Sequence, residues 1–373
     1  MLIAVPQEIR EGEKRVALVP DVINKLTRLG FDVVIESGAG THSQGTDAMY
    51  ESAGAKVQKG DVLKNADAVL SVQPLTPVQM STLKKGAVTI SFLSPLTGVD
   101  SIEAAEKAGV TAFSLELVPR ISRAQSMDAL TSQALCAGYR AALVGAELSP
   151  RFFPLLMTAA GTVTPAQVLV LGAGVAGLQA IATARRLGAV VSAYDVRPSS
   201  ADEVRSMGAT FIELELESLE GTGGYAREMT EERAAKQREL LTPFIAKSHV
   251  VITTAAVPGR TAPRLMTKAM VDSMEPGTII VDLAAETGGN VEGSKPGEIV
   301  ETSGGVRIWG GKDVPSQLPF HASFLYSRNV VNLLTLFTTP AKDEQKVAFN
   351  LDFEDEIING AAVTHAGARR GAK

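Results

Sequence analysis

The chain has 373 residues, 45% of them hydrophobic and 21% charged, enough for two globular domains with a core each. Its formal net charge of -5 argues against a phosphate-backbone binding surface, and the one concentrated basic cluster is Arg369-Arg370, so nucleic acid is not an expected partner. A single cysteine, Cys136, cannot close an internal disulfide; set between Leu135 and Ala137 it reads as a small buried hydrophobe in a reducing compartment.

Met1-Leu2-Ile3-Ala4-Val5-Pro6 enters a strand pattern without the sections of a secretory signal, so no targeting peptide is expected. No apolar run approaches the ~20 residues of a membrane-crossing helix, so no direct membrane span is expected either. Short β-branched runs at Leu2 to Val5, Val33 to Glu36, Ala68 to Val72, Val88 to Phe92 and Thr111 to Leu115 read as strands. Helical patterns at Pro20 to Leu29, Thr46 to Ser52, Thr76 to Leu83 and Ser101 to Ala108 separate them, three followed by Gly30, Gly86 or Gly109 as stops. Strand and helix in alternation predict a parallel sheet covered on both faces.

A long helical pattern, Ala124 to Glu147, leads to a second alternating series: Gln167 to Leu171, Val190 to Tyr194, Thr210 to Leu214, Val250 to Thr253, Thr278 to Asp282 and Val306 to Trp309. Another long helix is expected at Phe320 to Phe337. The expected fold is α/β, with two doubly wound, Rossmann-like parallel sheets separated by a cleft and joined by long crossing helices. Domain limits are set at 1–136, 137–318 for the nucleotide domain, 319–340 for a helix returning to the first domain, and 341–373 for a charged, then Gly/Ala-rich C-terminal tail or docking arm.

The strand Val168-Leu169-Val170-Leu171 runs into Gly172-Ala173-Gly174-Val175-Ala176-Gly177 and then a helix, Leu178 to Leu187, which is the full context of a dinucleotide-binding turn. Gly172 permits the tight turn, Gly174 lets the backbone approach the pyrophosphate, Gly177 packs helix on strand, and the helix N-terminus offers free N–H groups to the phosphates, with Val175 and Ala176 completing the cofactor-binding stretch between the glycines. The alternative is an unliganded tight turn. About twenty residues on, Asp195-Val196-Arg197 ends the next strand: the carboxylate can accept from the adenosine ribose and repel a 2′-phosphate, pointing to NAD, whereas Arg197 could accommodate that phosphate. Glu36-Ser37-Gly38-Ala39-Gly40 lacks the third glycine and a following helix, and reads as a plain turn. None of His42, His249, His321 and His365 has metal-ligand spacing, so no metal is expected.

Pro6-Gln7-Glu8-Ile9 with Glu13-Lys14-Arg15-Val16-Ala17-Leu18-Val19-Pro20, the nucleotide stretch Val168 to Gly177, and Asp282-Leu283-Ala284-Ala285-Glu286-Thr287-Gly288-Gly289-Asn290 together resemble the alanine dehydrogenase and proton-translocating NAD(P) transhydrogenase superfamily over nearly the whole chain. Within it, Arg120-Ile121-Ser122-Arg123-Ala124-Gln125-Ser126-Met127-Asp128 and the glycine loop carrying Tyr225 resemble the NAD(H)-binding component of the transhydrogenase branch. Alanine dehydrogenases carry a substrate lysine before the proline after the third strand and a catalytic histidine after the fourth; this chain has Val72-Gln73-Pro74 and Ser94 there. Oxidation of an amine needs a proton acceptor. Hydride transfer between two nicotinamides needs only close, oriented rings. Arg15, which grips a substrate carboxylate in the amino-acid enzymes, is then free to be structural.

The resemblance implies that NAD(H) bound here exchanges hydride with NADP(H) on a partner subunit, that a separate membrane-spanning subunit couples the exchange to proton movement, that this component is a homodimer, and that it sits peripherally on the cytoplasmic face of the membrane through its partners. It places Arg120, Gln125 and Asp128 at the nicotinamide end, with Thr131 one turn on, and makes Glu220 to Tyr225 a mobile lid in which Gly224 gives freedom and Tyr225 seals the pocket. Each has a plainer alternative: a capping box Ser122-x-x-Gln125, a helix-terminal charge at Asp128, a flexible connector at Tyr225. Gln237 would contact the adenosine half or else lie on a solvated helix face. Ala256 would pass the adenine ribose through its backbone, and Asp282 and Glu286 could shape the nicotinamide pocket, with Gly288-Gly289-Asn290 equally well a structural turn. The competing functions are an alanine-type amino-acid dehydrogenase and a non-catalytic NADH sensor.

Overall fold

The computed structural model of the chain describes residues 1–96, 98–216, 230–256, 259–342 and 345–370. In the first stretch the β-branched runs form β1 (Leu2–Val5), β2 (Asp32–Glu36), β3 (Lys56–Gln58), β4 (Ala68–Leu70), β5 (Val88–Ser91) and β6 (Thr111–Ser114), all paired in parallel. The crossovers carry α1 (Pro20–Arg28), α2 (Asp47–Ser52), α3 (Pro77–Ser81) and α4 (Val99–Ala108). Their starts follow from the sequence: Pro20 opens α1, and the hydroxyls of Thr46 and Thr76 accept from the N–H groups of Met49 and Gln79. Along β1, Ile3 and Val5 pack on one face of the sheet and Ala4 on the other, as a sheet covered on both sides requires.

After α5 (Ala129–Leu148) comes an exposed hairpin, β7 (Leu156–Thr158) and β8 (Gly161–Val163), which the sequence did not announce. The second alternating series then runs β9 (Gln167–Leu171), α6 (Val175–Arg186), β10 (Val190–Tyr194), α7 (Ser200–Ser206), β11 (Thr210–Phe211), α8 (Glu231–Ala246), β12 (Val250–Thr253), α9 (Lys268–Asp272), β13 (Ile279–Asp282), β14 (Ile299–Glu301) and β15 (Arg307–Gly310). Its sheet order is β11-β10-β9-β12-β13-β15-β14, parallel except for β14. Strand order reverses at β9, which lies between β10 and β12, so the carboxyl end of β9 is the switch point where such sheets bind ligands.

The last stretch adds α10 (Pro319–Leu336), β16 (Thr338–Thr339), β17 (Ala348–Phe349), α11 (Glu356–Ala361), β18 (Ala362–His365) and β19 (Ala368–Arg369). This corrects the tail expected over 341–373. β18 pairs antiparallel with β6, giving the first sheet the order β19-β18-β6-β5-β4-β1-β2-β3. The driving residues are Ile357, Ile358, Ala361, Ala362 and Val363, all buried, an apolar run too short to read as an element beside its Gly/Ala-rich neighbours.

Two compact units result, Met1–Gln133 with Pro315–Lys373, and Ala134–Val314. Their limits fall inside α5 and just before α10, rather than at the 136/137 and 318/319 set from sequence. A continuous helix carries no composition break to mark such a limit.

Candidate functional site

In the second unit the polypeptide leaves β9 through Gly172, whose φ of 103° is left-handed backbone that favours glycine. Its N–H donates to the Tyr194 carbonyl at 2.8 Å, and its carbonyl accepts from Thr254 Oγ1 at 3.0 Å. A Cβ on Gly177 would come within 1.9 Å of the Gly172 carbonyl oxygen, so glycine there is a packing requirement. Gly174 differs from both: its φ is -75°, and a Cβ would meet nothing within 4 Å. Among the described residues nothing demands glycine there. Gly174 is also the N-cap of α6 and has no side chain to cap with, so with the exposed Val175 and the half-buried Ala176 it presents the free N–H groups of the first turn. The backbone here is bare where a diphosphate would need to approach closely.

Asp195 stands at the carboxyl end of β10, with its side chain 8% exposed. Its Oδ2 accepts from the Ala173 N–H at 2.7 Å, which ties it to the glycine loop, and it holds Arg197 in an ion pair with Nε–Oδ1 at 2.9 Å. Val196, between them, is half-buried against the core. Gln237 is 2% exposed, which corrects the solvated-face alternative; its Oε1 accepts from the Tyr194 hydroxyl at 3.0 Å, next to Asp195 in the chain.

The loop after β12 is fixed from below by residues that the sequence left in the balance. Asn290, fully buried, accepts from the Ala255 N–H at 3.1 Å and donates from Nδ2 to the carbonyls of Ala255 and Pro263 at 2.7 and 2.8 Å. Asp282, also fully buried, accepts from Thr253 Oγ1 and from the N–H groups of Ala284, Asn290 and Val291. With its oxygens turned inward, Asp282 fixes Thr253 and Asn290, and Asn290 in turn holds Ala255 in the loop after β12. Ala256 itself is exposed at the sheet edge. Glu286 accepts from the Asp313 N–H at 3.0 Å. Gly224 and Tyr225 lie outside the described residues.

In the first unit the chain leaves β6 through an exposed Arg120 and a 3-10 turn, Ser122–Met127. Two expectations are corrected here. Ser122 lies inside the turn, whose N-cap is Ile121 with no side-chain cap, so the capping box does not form. The helix expected from Ala124 breaks at Asp128, and α5 starts at Ala129. Gln125 therefore sits exposed on the 3-10 turn, while Asp128 accepts from the Thr131 N–H at 2.8 Å and the Thr131 hydroxyl at 2.7 Å. The helix-terminal role of Asp128 is thus real, and Thr131 holds its carboxylate.

Arg15 is 7% exposed and forks onto Glu13, with Nη2–Oε2 at 2.6 Å, while its Nη1 donates to Gln133 Oε1 at 2.9 Å. Gln73 and Ser316 also donate to Glu13. Burial pushes Glu13 up, but Arg15, Gln73 and Ser316 outweigh it and hold the carboxyl at about 2. Burial raises the neighbouring Glu8 to about 7, against the N–H groups of Val72 and Gln73 that donate to it. A cavity of about 480 Å³ beside them is lined by Glu8, Arg10, Gln73 and Ser94 among others, with no lysine or histidine among its described lining residues. The guanidinium that would grip a substrate carboxylate is already paired, and no proton acceptor of the alanine dehydrogenase kind faces the cavity.

Two family profiles cover the chain: "Alanine dehydrogenase/PNT, N-terminal domain" matches residues 4–137 and "Alanine dehydrogenase/PNT, C-terminal domain" residues 141–370. The chain is similar to the first segment of NAD(P) transhydrogenase subunit alpha of Rhodospirillum rubrum, 47% identical over 99% of this chain and 97% of the relative. It is more distantly similar to alanine dehydrogenase of Mycolicibacterium smegmatis, 32% identical over 79% of this chain and 76% of the relative. Among solved structures, a transhydrogenase from Sinorhizobium meliloti superposes with a TM-score of 0.86 at 43% identity, covering 100% of this chain and 99% of that one.

Proposed function

The chain belongs to the alanine dehydrogenase/PNT family, and from that premise we propose that it is the NAD(H)-binding component of an NAD(P) transhydrogenase, exchanging hydride between NAD(H) held here and NADP(H) held on a partner subunit. The carrying observation is Gly174: a glycine that the fold does not require, at the bare N-terminus of α6, with the Asp195 carboxylate on the adjoining strand end. NAD(H) supplies the hydride when bound. The chain's own work is to seat the pyrophosphate at residues 172–177, accept from the adenosine ribose at Asp195, pass the ribose along the backbone at Ala256, and orient the nicotinamide end with Arg120, Gln125 and Asp128. Thr131 fixes Asp128 and Gln237 supports the strand end through Tyr194; Gly224 and Tyr225 are assigned as further nucleotide contacts.

Transfer of this kind creates no proton to be removed, which fits the internal pairing of Arg15 and the cavity without lysine or histidine. The relatives' description as a subunit supports dependence on partners. We assign those partners as an NADP(H)-binding subunit and a membrane-spanning subunit that couples hydride exchange to proton translocation, with this chain on the cytoplasmic face. No helix among the described residues is long and apolar enough to cross a membrane itself. The hairpin β7–β8, with Leu155, Leu156 and Met157 exposed, supports a homodimer in which a second copy covers it.

The test is to mix the purified chain with NADH and an NADP⁺ analogue of distinct absorbance, with and without the NADP(H)-binding partner. Hydride transfer only in the complete mixture is the expected result. No transfer while both nucleotides are demonstrably bound would overturn the assignment, and turnover of alanine or a 2-oxo acid by the chain alone would replace it.

A further inference from the structure

We propose that Asn329, on α10, is a positioning residue for hydride transfer: it clamps the turn that carries Gln125 and Asp128, and so fixes the orientation in which a nicotinamide ring is held there. The inference rests on the assignment of those two residues to the nicotinamide end, and extends it to a side chain 203 positions away in the sequence.

The stretch Ser122–Met127 is a 3-10 turn of six residues. Runs of that length are uncommon, because their hydrogen bonds are poorly aligned, so the turn needs support from outside itself. Apolar support comes from Ala124 and Met127, which are buried in the first unit's core. Polar support comes from α10. Asn329 Nδ2 donates to the Ser126 carbonyl at 3.0 Å, and its Oδ1 accepts from the Ser132 hydroxyl at 2.7 Å. Asn332, one turn further on, donates to the same Ser126 carbonyl at 3.2 Å. Each amide can face only one way: Lys25 Nζ donates to Asn332 Oδ1 at 3.0 Å, and the Ser126 carbonyl can only accept.

Ser126 follows Gln125, and Ser132 follows Thr131, the residue that holds the Asp128 carboxylate, so the two bonds of Asn329 bracket both side chains. The Ser132 N–H also donates to the Asp128 carbonyl at 3.3 Å. Asn329 is 7% exposed, beside the buried Val330, Val331 and Leu333. Asparagine is a poor helix former and is seldom buried, and an apolar side chain would serve the packing of α10 as well. What an apolar side chain could not do is hold the turn. On the plainer account, Asn329 is a buried polar residue satisfied by its neighbours and of no consequence for the reaction. The two accounts differ in what an apolar replacement of similar outline does to stability and to transfer.

The test is Asn329→Leu in the full chain. Leucine keeps the branching of the side chain, and the variant leaves the Ser126 carbonyl with Asn332 and the Ser132 hydroxyl with the Ala129 carbonyl at 3.1 Å. The readouts are the melting transition, NADH affinity by fluorescence, and the single-turnover rate of hydride transfer to an NADP⁺ analogue on the NADP(H)-binding partner, with nucleotides and partner saturating. Melting and NADH affinity should stay near the wild-type values, while the transfer rate should fall about tenfold or more, because small errors in the placement of reacting groups are costly. A folded Asn329→Leu that transfers hydride at the wild-type rate would overturn the positioning role. So would a loss of rate that follows from weaker NADH binding and disappears at saturation. No transfer by the wild-type complex would instead remove the transhydrogenase assignment, and the positioning role with it. Should Asn329→Leu not fold, Asn329→Ser, too short to bridge the two serines, is measured in the same way and the same outcomes decide.

Discussion

Two glycines three residues apart separate what the fold needs from what a ligand would need. Gly177 abuts the Gly172 carbonyl, so Gly177→Ala should cost about 2–3 kcal/mol of stability through overpacking. Gly174 has open space and ordinary φ, so Gly174→Ala should lower stability by no more than about 1 kcal/mol. It should nonetheless weaken NADH by about tenfold or more, because its methyl fills the approach to the helix N-terminus. Thermal melts and NADH titrations on the two variants test the contrast; NADH binding by Gly174→Ala at the wild-type level would remove the pyrophosphate from this loop. Two carboxyls of the first unit, the buried Glu13 and the half-buried Glu8, act in opposite directions with pH. Glu13, held at about 2, contributes stability above its unfolded value of 4.5 that is lost as pH falls toward 2. Glu8, raised to about 7, favours folding fully only below 4.5, and that contribution is lost as pH rises through 7. Urea unfolding at pH 5 and pH 8 should therefore show the wild type losing on the order of 1–3 kcal/mol to Glu8 between them. A Glu8→Gln variant should show a flatter profile, and an equal slope in both proteins would contradict the shift.

At the scale of elements, the parallel strands and most crossover helices were legible because each carries its own period, its caps and a glycine or proline stop, and the glycine loop was legible because strand, turn and helix occur together. Besides the hairpin β7–β8, three things were hidden, each because the deciding contact is distant in sequence or masked by its surroundings. The break at Asp128 comes from its carboxylate capping α5 through Thr131, inside a stretch whose apolar period runs on unbroken. The work of Asn290 lies in holding Ala255 and Pro263, more than twenty residues away. The closing strand β18 is specified by pairing with β6, about 250 residues earlier. If α11 and β18 belong to the first unit's core, Ile357→Ala, at a fully buried position, should destabilise that unit by about 2–5 kcal/mol. A solvated arm would tolerate the same change. Chemical denaturation of the variant decides between an arm and an element, and an unchanged midpoint would return this segment to the status of a tail.

At the scale of the whole molecule, the chain consists of two units, each with a parallel sheet and apolar clusters on both of its faces. Among the described residues, the densest run of exposed large apolar side chains is Phe152, Leu155, Leu156 and Met157, at the hairpin β7–β8 and the chain leading into it. The hairpin β7–β8 leaves the second unit with every residue of both strands exposed, and Phe152, Leu155 and Met157 are 61%, 55% and 79% accessible. A two-stranded hairpin is marginal in water by itself, and a run of apolar side chains on it is costly to leave wet. Both problems disappear if a second copy covers the hairpin, and twofold pairing supplies such a cover reciprocally, each chain's hairpin lying on the other. Replacing Met157 with aspartate would then bury an unpaired charge at the interface. Sedimentation equilibrium should find the wild type dimeric and Met157→Asp shifted toward monomer, with NADH affinity kept because the hairpin lies outside the proposed nucleotide loop. A monomeric wild type would end the dimer assignment. A variant that stays dimeric would move the interface away from the hairpin and leave its exposed face to another subunit of the complex.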